Sequence, residues 1–171
     1  YTDDSVQRED RRVSFNDGVL SIVRRLLRVN RRGILLFSRF VEEAQYISDS
    51  LPGMAAIVSQ NTPKKERERI LADFKAGRIK VVTNVGVLTT GFDYPELDTV
   101  VLARPTLSLA LYYQMVGRAI RPHPSKAEGW IVDLCGNFNR FGRVEDLQLA
   151  SYKPGTYCIQ NRTRVLTNVY M

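Results

Sequence analysis

Hydrophobic positions along this chain follow two rhythms, one helical and one of short continuous runs, and the two alternate from end to end. Val19, Ile22, Val23, Leu26 and Leu27 recur at i, i+3, i+4 spacing and predict a helix, with Asn16 or Asp17 placed to cap it. Arg24, Arg25 and Arg28 fall on its other face, which reads as a solvated face or, alternatively, as a contact for nucleic acid. Ile34-Leu35-Leu36-Phe37 is then a run of buried-strand type. A helix over about residues 40–51 and a strand over 54–58 follow. Thr62-Pro63 supplies a cap and a favoured first helical residue for a helix with Ile70, Leu71 and Phe74 inward. Gly77 closes it in the left-handed conformation. Strands at 79–83 and 99–103, a helix at 108–120 and a strand at 130–134 complete the pattern.

Short apolar strands separated by helices predict an α/β fold, a parallel sheet with helices on both faces. Such sheets bind ligands at the carboxyl ends of their strands, and the two sharpest motifs follow the third and fourth strands. Residues 1–15 are polar and charged and read as a linker or arm, 16–149 as the domain itself. Residues 150–171 are less patterned and read as an appendage or the start of a further domain.

Size and composition narrow the class. The chain has 171 residues, 44% of them hydrophobic and 25% charged, which suits one globular domain. It starts at Tyr1, as a piece of a longer polypeptide would, and no apolar run nears the roughly 20 residues that span a bilayer. Cys135 and Cys158 are not a close pair and have only His123 to help them, which argues against zinc or a disulfide framework. No metal ligands are assigned, and a reducing, cytoplasmic setting is expected. A net charge of +7 favours a polyanionic partner.

The stretch with the most chemistry ends in Gln114-Met115-Val116-Gly117-Arg118-Ala119-Ile120-Arg121. Arg118 and Arg121, three residues apart, bring two guanidinium forks to nearly one helix face, and Gly117 removes a side chain beside them. Upstream, Gly91-Phe92-Asp93 forms a turn past an apolar strand. Planar, permanently charged forks suit the oxygens of a phosphate in transfer. The plainer alternative pairs these arginines with surface carboxylates such as Glu96 or Glu128.

Taken together, these residues resemble the second RecA-like domain of a superfamily 2 helicase or translocase. Residues 114–121 match its Gln/His-x-x-Gly-Arg-x-x-Arg motif VI, and residues 83–95 match motif V, which ends in Gly-x-Asp-x-Pro. Phe37-Ser38-Arg39 sits where motif IV closes the first strand, and residues 59–67 with Phe74 and Gly77 resemble the segment between motifs IV and V. The resemblance covers about residues 33–134. It implies that Arg121 is an arginine finger, with Arg118 its partner on the γ-phosphate of ATP and Gln114 coupling nucleotide state to the facing domain. It implies that Asp93 bonds the ribose or an arginine of motif VI, and that Gly91 keeps that turn tight. Ser38, Arg39, Ser59, Thr83, Thr89 and Thr90 would meet the phosphates of a bound strand; for Thr89 and Thr90 turn and capping chemistry is the alternative.

Two departures qualify the match. Gln60 stands where relatives often carry glycine, and the chain has no Gly-x-x-x-x-Gly-Lys-Ser/Thr loop and no Asp-Glu-x-His or Asp-Glu-Ala-Asp motif. ATP and Mg²⁺ would therefore be held mainly by a preceding RecA-like domain, and this chain alone is expected to be inactive. The 136–142 segment and the form of motif V resemble bacterial and phage DNA helicases of the RadD kind, so DNA is favoured over RNA as partner. Two rivals stay open: a degenerate helicase-like binding module and an unrelated doubly wound enzyme. Trp130 is expected in the core, one of Tyr112 and Tyr113 inward, and Phe138 and Phe141 packed on the sheet rather than wedged between bases.

Overall fold

The structure is a computed structural model that describes residues 4–87, 92–162 and 164–170. Five strands, β1 (Ile34–Ser38), β2 (Ala55–Ser59), β3 (Val81–Val85), β4 (Thr99–Ala103) and β5 (Trp130–Asp133), form one all-parallel sheet in the order β2-β3-β1-β4-β5. Helices α1 (Asp4–Arg28), α2 (Val41–Asp49), α3 (Lys64–Lys75), α4 (Leu109–Val116) and α5 (Asn137–Phe141) cover it. The two-residue period of the strands divides the core. Ile34, Leu36, Val81 and Val101 turn towards Val19, Val23 and Leu26 of α1 and Ile47 of α2. Leu35, Phe37, Val82, Val100 and Leu102 turn the other way, onto Ile70 and Phe74 of α3 and Tyr112, Met115 and Val116 of α4. Near-continuous apolar strands are thus buried on both faces, as expected.

Element boundaries shift where a cue was misread. β3 starts two residues later than the apolar run suggests and extends through Thr83 and Asn84, both fully buried. Pro63, not Thr62, occupies the cap position of α3, because the Thr62 hydroxyl accepts the Ser59 N–H at 2.9 Å instead. Gly77 closes that helix at φ +76°, the left-handed conformation that only glycine adopts cheaply.

The largest correction lies at the amino-terminal end. The stretch read as a linker is helical from Asp4 on, and Asn16 and Asp17 sit inside α1 rather than capping it. The segment has no proline, Asp4 stands in its first turn, and Glu9 pairs with Arg12 at 3.2 Å, all of which favour a helix. Instead of capping, Asp17 accepts a hydrogen bond from the Tyr46 hydroxyl of α2. With 25 residues α1 is roughly 37 Å long, against roughly 17 Å for a five-residue strand, so it reaches well past the sheet.

The carboxyl-terminal end is a second, antiparallel sheet of β6 (Leu147–Lys153), β7 (Thr156–Asn161) and β8 (Arg164–Tyr170). It begins at Leu147, so the boundary expected at 149/150 falls inside a strand. Asn161 ties it to the domain by donating to the carbonyls of Phe141 and Arg143 at 2.9 and 3.1 Å.

Candidate nucleotide and nucleic-acid site

Helix α4 begins on a capped end, the Ser108 hydroxyl accepting from the Leu111 N–H at 3.2 Å, and stops at Gly117. Tyr112, Met115 and Val116 are fully buried while Tyr113 and Gln114 face solvent, so the helix keeps one face on the core and one outward. An added Cβ at Gly117 would lie 3.0 Å from the Tyr113 carbonyl oxygen, a crowded position that glycine relieves. Just beyond, Arg118 donates to the Phe92 carbonyl at 2.6 Å and Arg121 to the Asp93 carboxylate at 2.7 Å. Motif VI is thereby stitched to the Phe92-Asp93 turn. Glu96 and Glu128 are engaged elsewhere, with Arg32 at 2.9 Å and Arg31 at 3.7 Å, and the surface carboxylate that Arg121 meets is Asp93.

Partial burial and the nearby Arg121 cation both depress the Arg118 pKa, with Asp93 opposing them. The Asp93 carboxylate that Arg121 meets is three-quarters exposed. The arrangement suits a further anion from outside the domain.

Two residues that the sequence reading passed over hold this corner in place. Lys126 donates to three carbonyls, those of Pro95, Leu97 and Ala119, each at 2.9 Å, and so joins the loop after motif VI to the segment after Asp93. Gly129 lies so close to motif VI that a Cβ there would sit 2.3 Å from the Ala119 carbonyl oxygen. Trp130 follows, its backbone N–H on the Asp98 carbonyl at 2.7 Å and its half-exposed ring under the Arg31 guanidinium at 4.4 Å. It is therefore a surface stacking partner rather than a core residue. These contacts put Arg118 and Arg121 beside the amino ends of β4 and β5, whereas a carboxyl-edge site was expected. α4 runs back along the sheet, and its far end reaches the opposite edge.

The residues assigned to the nucleic acid divide differently. At the carboxyl edge Arg39 is exposed, its guanidinium 4.1 Å over the Phe40 ring, and the Glu43 carboxylate accepts the N–H groups of Arg39 and Phe40 at 3.2 and 3.3 Å. Ser38 and Ser59 are buried, and the Ser59 hydroxyl accepts from the Asn61 N–H at 3.2 Å. Thr83 is fully buried in mid-strand and its hydroxyl donates to the Ala44 carbonyl of α2 at 3.2 Å. As folded, Thr83 presents no hydroxyl to a strand in solvent, which corrects that assignment, whereas Arg39 does present its side chain. Thr89, Thr90 and Gly91 lie outside the described residues.

The 136–142 segment turns out to be structural. Asp133 at the end of β5 accepts from the N–H groups of Cys135 and Phe138 at 3.1 and 2.7 Å and from the Asn137 amide at 2.9 Å. Asn137, almost fully buried, also donates to the Arg104 carbonyl and accepts the Thr106 N–H, bracing the loop that leads into α4. Tyr112 stacks on Phe141 at 5.1 Å and meets Phe138 edge-on at 6.2 Å, and its hydroxyl donates to the Gly142 carbonyl. Both phenylalanines pack inward, as expected.

The conserved C-terminal domain of helicases, as a family, matches residues 18–123, from α1 through Arg121. The chain belongs to that family. Its five-stranded parallel sheet is the RecA-like arrangement of helicase C-terminal domains. Over 145 residues it is 32% identical to a 51.5 kDa protein of a Lactococcus phage, covering 83% of this chain and 31% of that protein. A Saccharomyces cerevisiae candidate ATP-dependent helicase, IRC3, is 42% identical over 79 residues, 46% of this chain and 12% of that protein. The Pyrococcus furiosus Hef helicase domain superposes with a TM-score of 0.54 at 26% identity, covering 71% of this chain and 26% of that one. S. cerevisiae Dbp5 bound to RNA and ADP BeF3 superposes at 0.60 and 23% identity over 75% of this chain and 34% of its own, a likeness of fold alone. The chain spans about a third or less of the curated relatives it matches.

Proposed function

We propose that this chain is the second motor domain of an ATP-dependent superfamily 2 DNA helicase or translocase. In this reading Arg121 and Arg118 meet the γ-phosphate of ATP bound with Mg²⁺ on a preceding RecA-like domain of the same polypeptide. The observation that carries it is the corner at 118–121, with Arg118 braced on the Phe92 carbonyl and Arg121 on the exposed Asp93 carboxylate of the same turn. Asp93 holds Arg121 in the open state and releases it when the phosphate arrives, so the finger is pre-positioned without a large cost. Gln114, exposed one turn earlier, carries the nucleotide state to the facing domain. Gly117 keeps the surface low enough for that domain to approach, Gly91 serves the nucleotide side beside Asp93, and Thr89 and Thr90 donate to phosphates of the bound strand.

The metal-ion chemistry is supplied by the preceding domain, and this chain alone does not turn over ATP. Because the arginines lie at the amino edge and Arg39 at the carboxyl edge, closure on the nucleotide at one edge tilts the strand grip at the other. That geometry converts a local change in charge into movement along a strand. DNA is preferred to RNA on the form of motif V. The test is ATP turnover by the parent polypeptide with single-stranded DNA, duplex DNA and RNA in parallel. Stimulation by DNA above RNA supports the reading; stimulation by RNA alone replaces the substrate, and turnover indifferent to every nucleic acid overturns it.

A further inference from the structure

Helix α1 carries its core-facing stripe beyond the core. Val19, Val23 and Leu26 of that stripe are buried against the sheet. Followed backwards at helical spacing, the same face passes through Phe15 to Arg11 and Arg12 and then Arg8. Here the helix has run past the strand ends, and the stripe changes from aliphatic to arginine. These residues form one wall of a groove of about 470 Å³ whose other wall is Arg39 and Phe40 after β1, with the carboxyl ends of β4 and β5 as its floor.

The groove is strongly cationic. Arg12 pairs with Glu9, and Glu43 is committed to backbone N–H groups beneath Arg39. Arg8 and Arg11 make no ion pair among the described residues, and Arg39 lies on the Phe40 ring. A helix shaped only to cover the sheet would end where the sheet ends. Four guanidiniums line the groove against the Glu9 and Glu43 carboxylates, and the excess of positive charge is one that a polyanion would relieve.

We infer that Arg8, Arg11 and Arg12 of α1 form, with Arg39, a second grip on the phosphate backbone of a single nucleic-acid strand crossing the carboxyl edge of the sheet. Phe15 and Phe40 supply apolar surface for its sugars and bases, and the grip reads no sequence. This inference rests on the proposed function, since it extends the path of the strand beyond Arg39.

The experiment is binding of the parent polypeptide to fluorescent single-stranded oligonucleotides, one of deoxythymidine and one of uridine, across a salt series. Variants are Arg8→Gln/Arg11→Gln and, as a control on the same helix, Arg24→Gln/Arg28→Gln. Each phosphate contact on a single strand contributes about 0.7 to the slope of log K against log salt. The groove variant is expected to flatten the slope by about 1.4 with either sugar, while the control leaves it in place. Thermal unfolding of both variants should match the wild type, because all four side chains are exposed. A groove variant with the wild-type slope, or a control that flattens it equally, overturns the inference while leaving the proposed function standing. A wild type that binds neither oligonucleotide overturns both.

Discussion

Replacing Asn137 with alanine tests how the end of β5 holds the helix that leads to the arginines. The side chain is 1% exposed and makes three hydrogen bonds of 2.9 to 3.1 Å. Its loss strands the Thr106 N–H, in a buried residue, and removes a donor from the Arg104 carbonyl and from Asp133. A buried unsatisfied donor costs about 1–3 kcal/mol. With the two other lost bonds the total comes to about 3 kcal/mol. For a chain of this size that lowers the melting temperature by roughly 6–12 °C. Asn137→Asp separates the parts: it keeps an acceptor for Thr106 but sets a second carboxylate against Asp133. Two adjacent carboxylates cannot both ionise cheaply, so the pair's upper pKa rises above the unfolded value of about 4. Stability that is present below that value is lost as pH rises through the raised pKa, so the deficit of Asn137→Asp widens between about pH 4 and 7. Thermal unfolding of the 171-residue chain by circular dichroism reads both effects. A melting temperature for Asn137→Ala within about 2 °C of wild type, or a pH-independent deficit for Asn137→Asp, would refute the reasoning.

Three further outcomes follow from the geometry. Gly129→Ala drives a Cβ into the Ala119 carbonyl and should displace motif VI, reducing ATP turnover of the parent polypeptide at a stability cost of about 1–3 kcal/mol; unchanged turnover would show that this approach is not needed. Thr83→Val removes a buried donor to Ala44 and should destabilise the chain by about 1 kcal/mol while leaving nucleic-acid affinity unchanged; weakened binding at constant stability would restore Thr83 to the interface. Burial, then the Asp133 and Glu43 carboxylates, raise the Cys135 thiol from 9.0 to about 11, against the opposing Arg39. Its alkylation at pH 8 should therefore run roughly a hundred-fold slower than an ordinary thiol, rising about ten-fold per pH unit. Stability should fall as pH climbs from about 9, where the unfolded chain ionises first, and rapid labelling at pH 8 would contradict this environment.

Much of the fold was legible because apolar periodicity reports burial directly. The run at 34–37 is buried on both sides, and β4 falls where its apolar residues place it. The first part of the amino-terminal helix was illegible for a matching reason: residues 7–14 are exposed, so no apolar stripe marks them. At the site, Arg118, Arg121 and Asp93 were readable as a spaced motif, and the structure brings them together. Lys126 and Gly129 were not, because each acts on backbone carbonyls distant in sequence, and a carbonyl leaves no trace in residue identity. Thr83 misled for the opposite reason. A threonine near a strand end resembles a phosphate ligand until the strand is seen to continue two residues further.

The central claim is that Arg121 acts on a nucleotide held by another domain. Its ion pair with Asp93 is half-exposed on one side and mostly exposed on the other, so breaking it should change stability by no more than about 1 kcal/mol. An arginine finger removed lowers turnover by roughly 10³ to 10⁵. The deciding measurement is the DNA-stimulated ATP turnover rate of the parent polypeptide carrying Arg121→Ala, beside its melting temperature. The account predicts a rate at least about 10³-fold lower with the melting temperature held. A rate within a few-fold of wild type would contradict it.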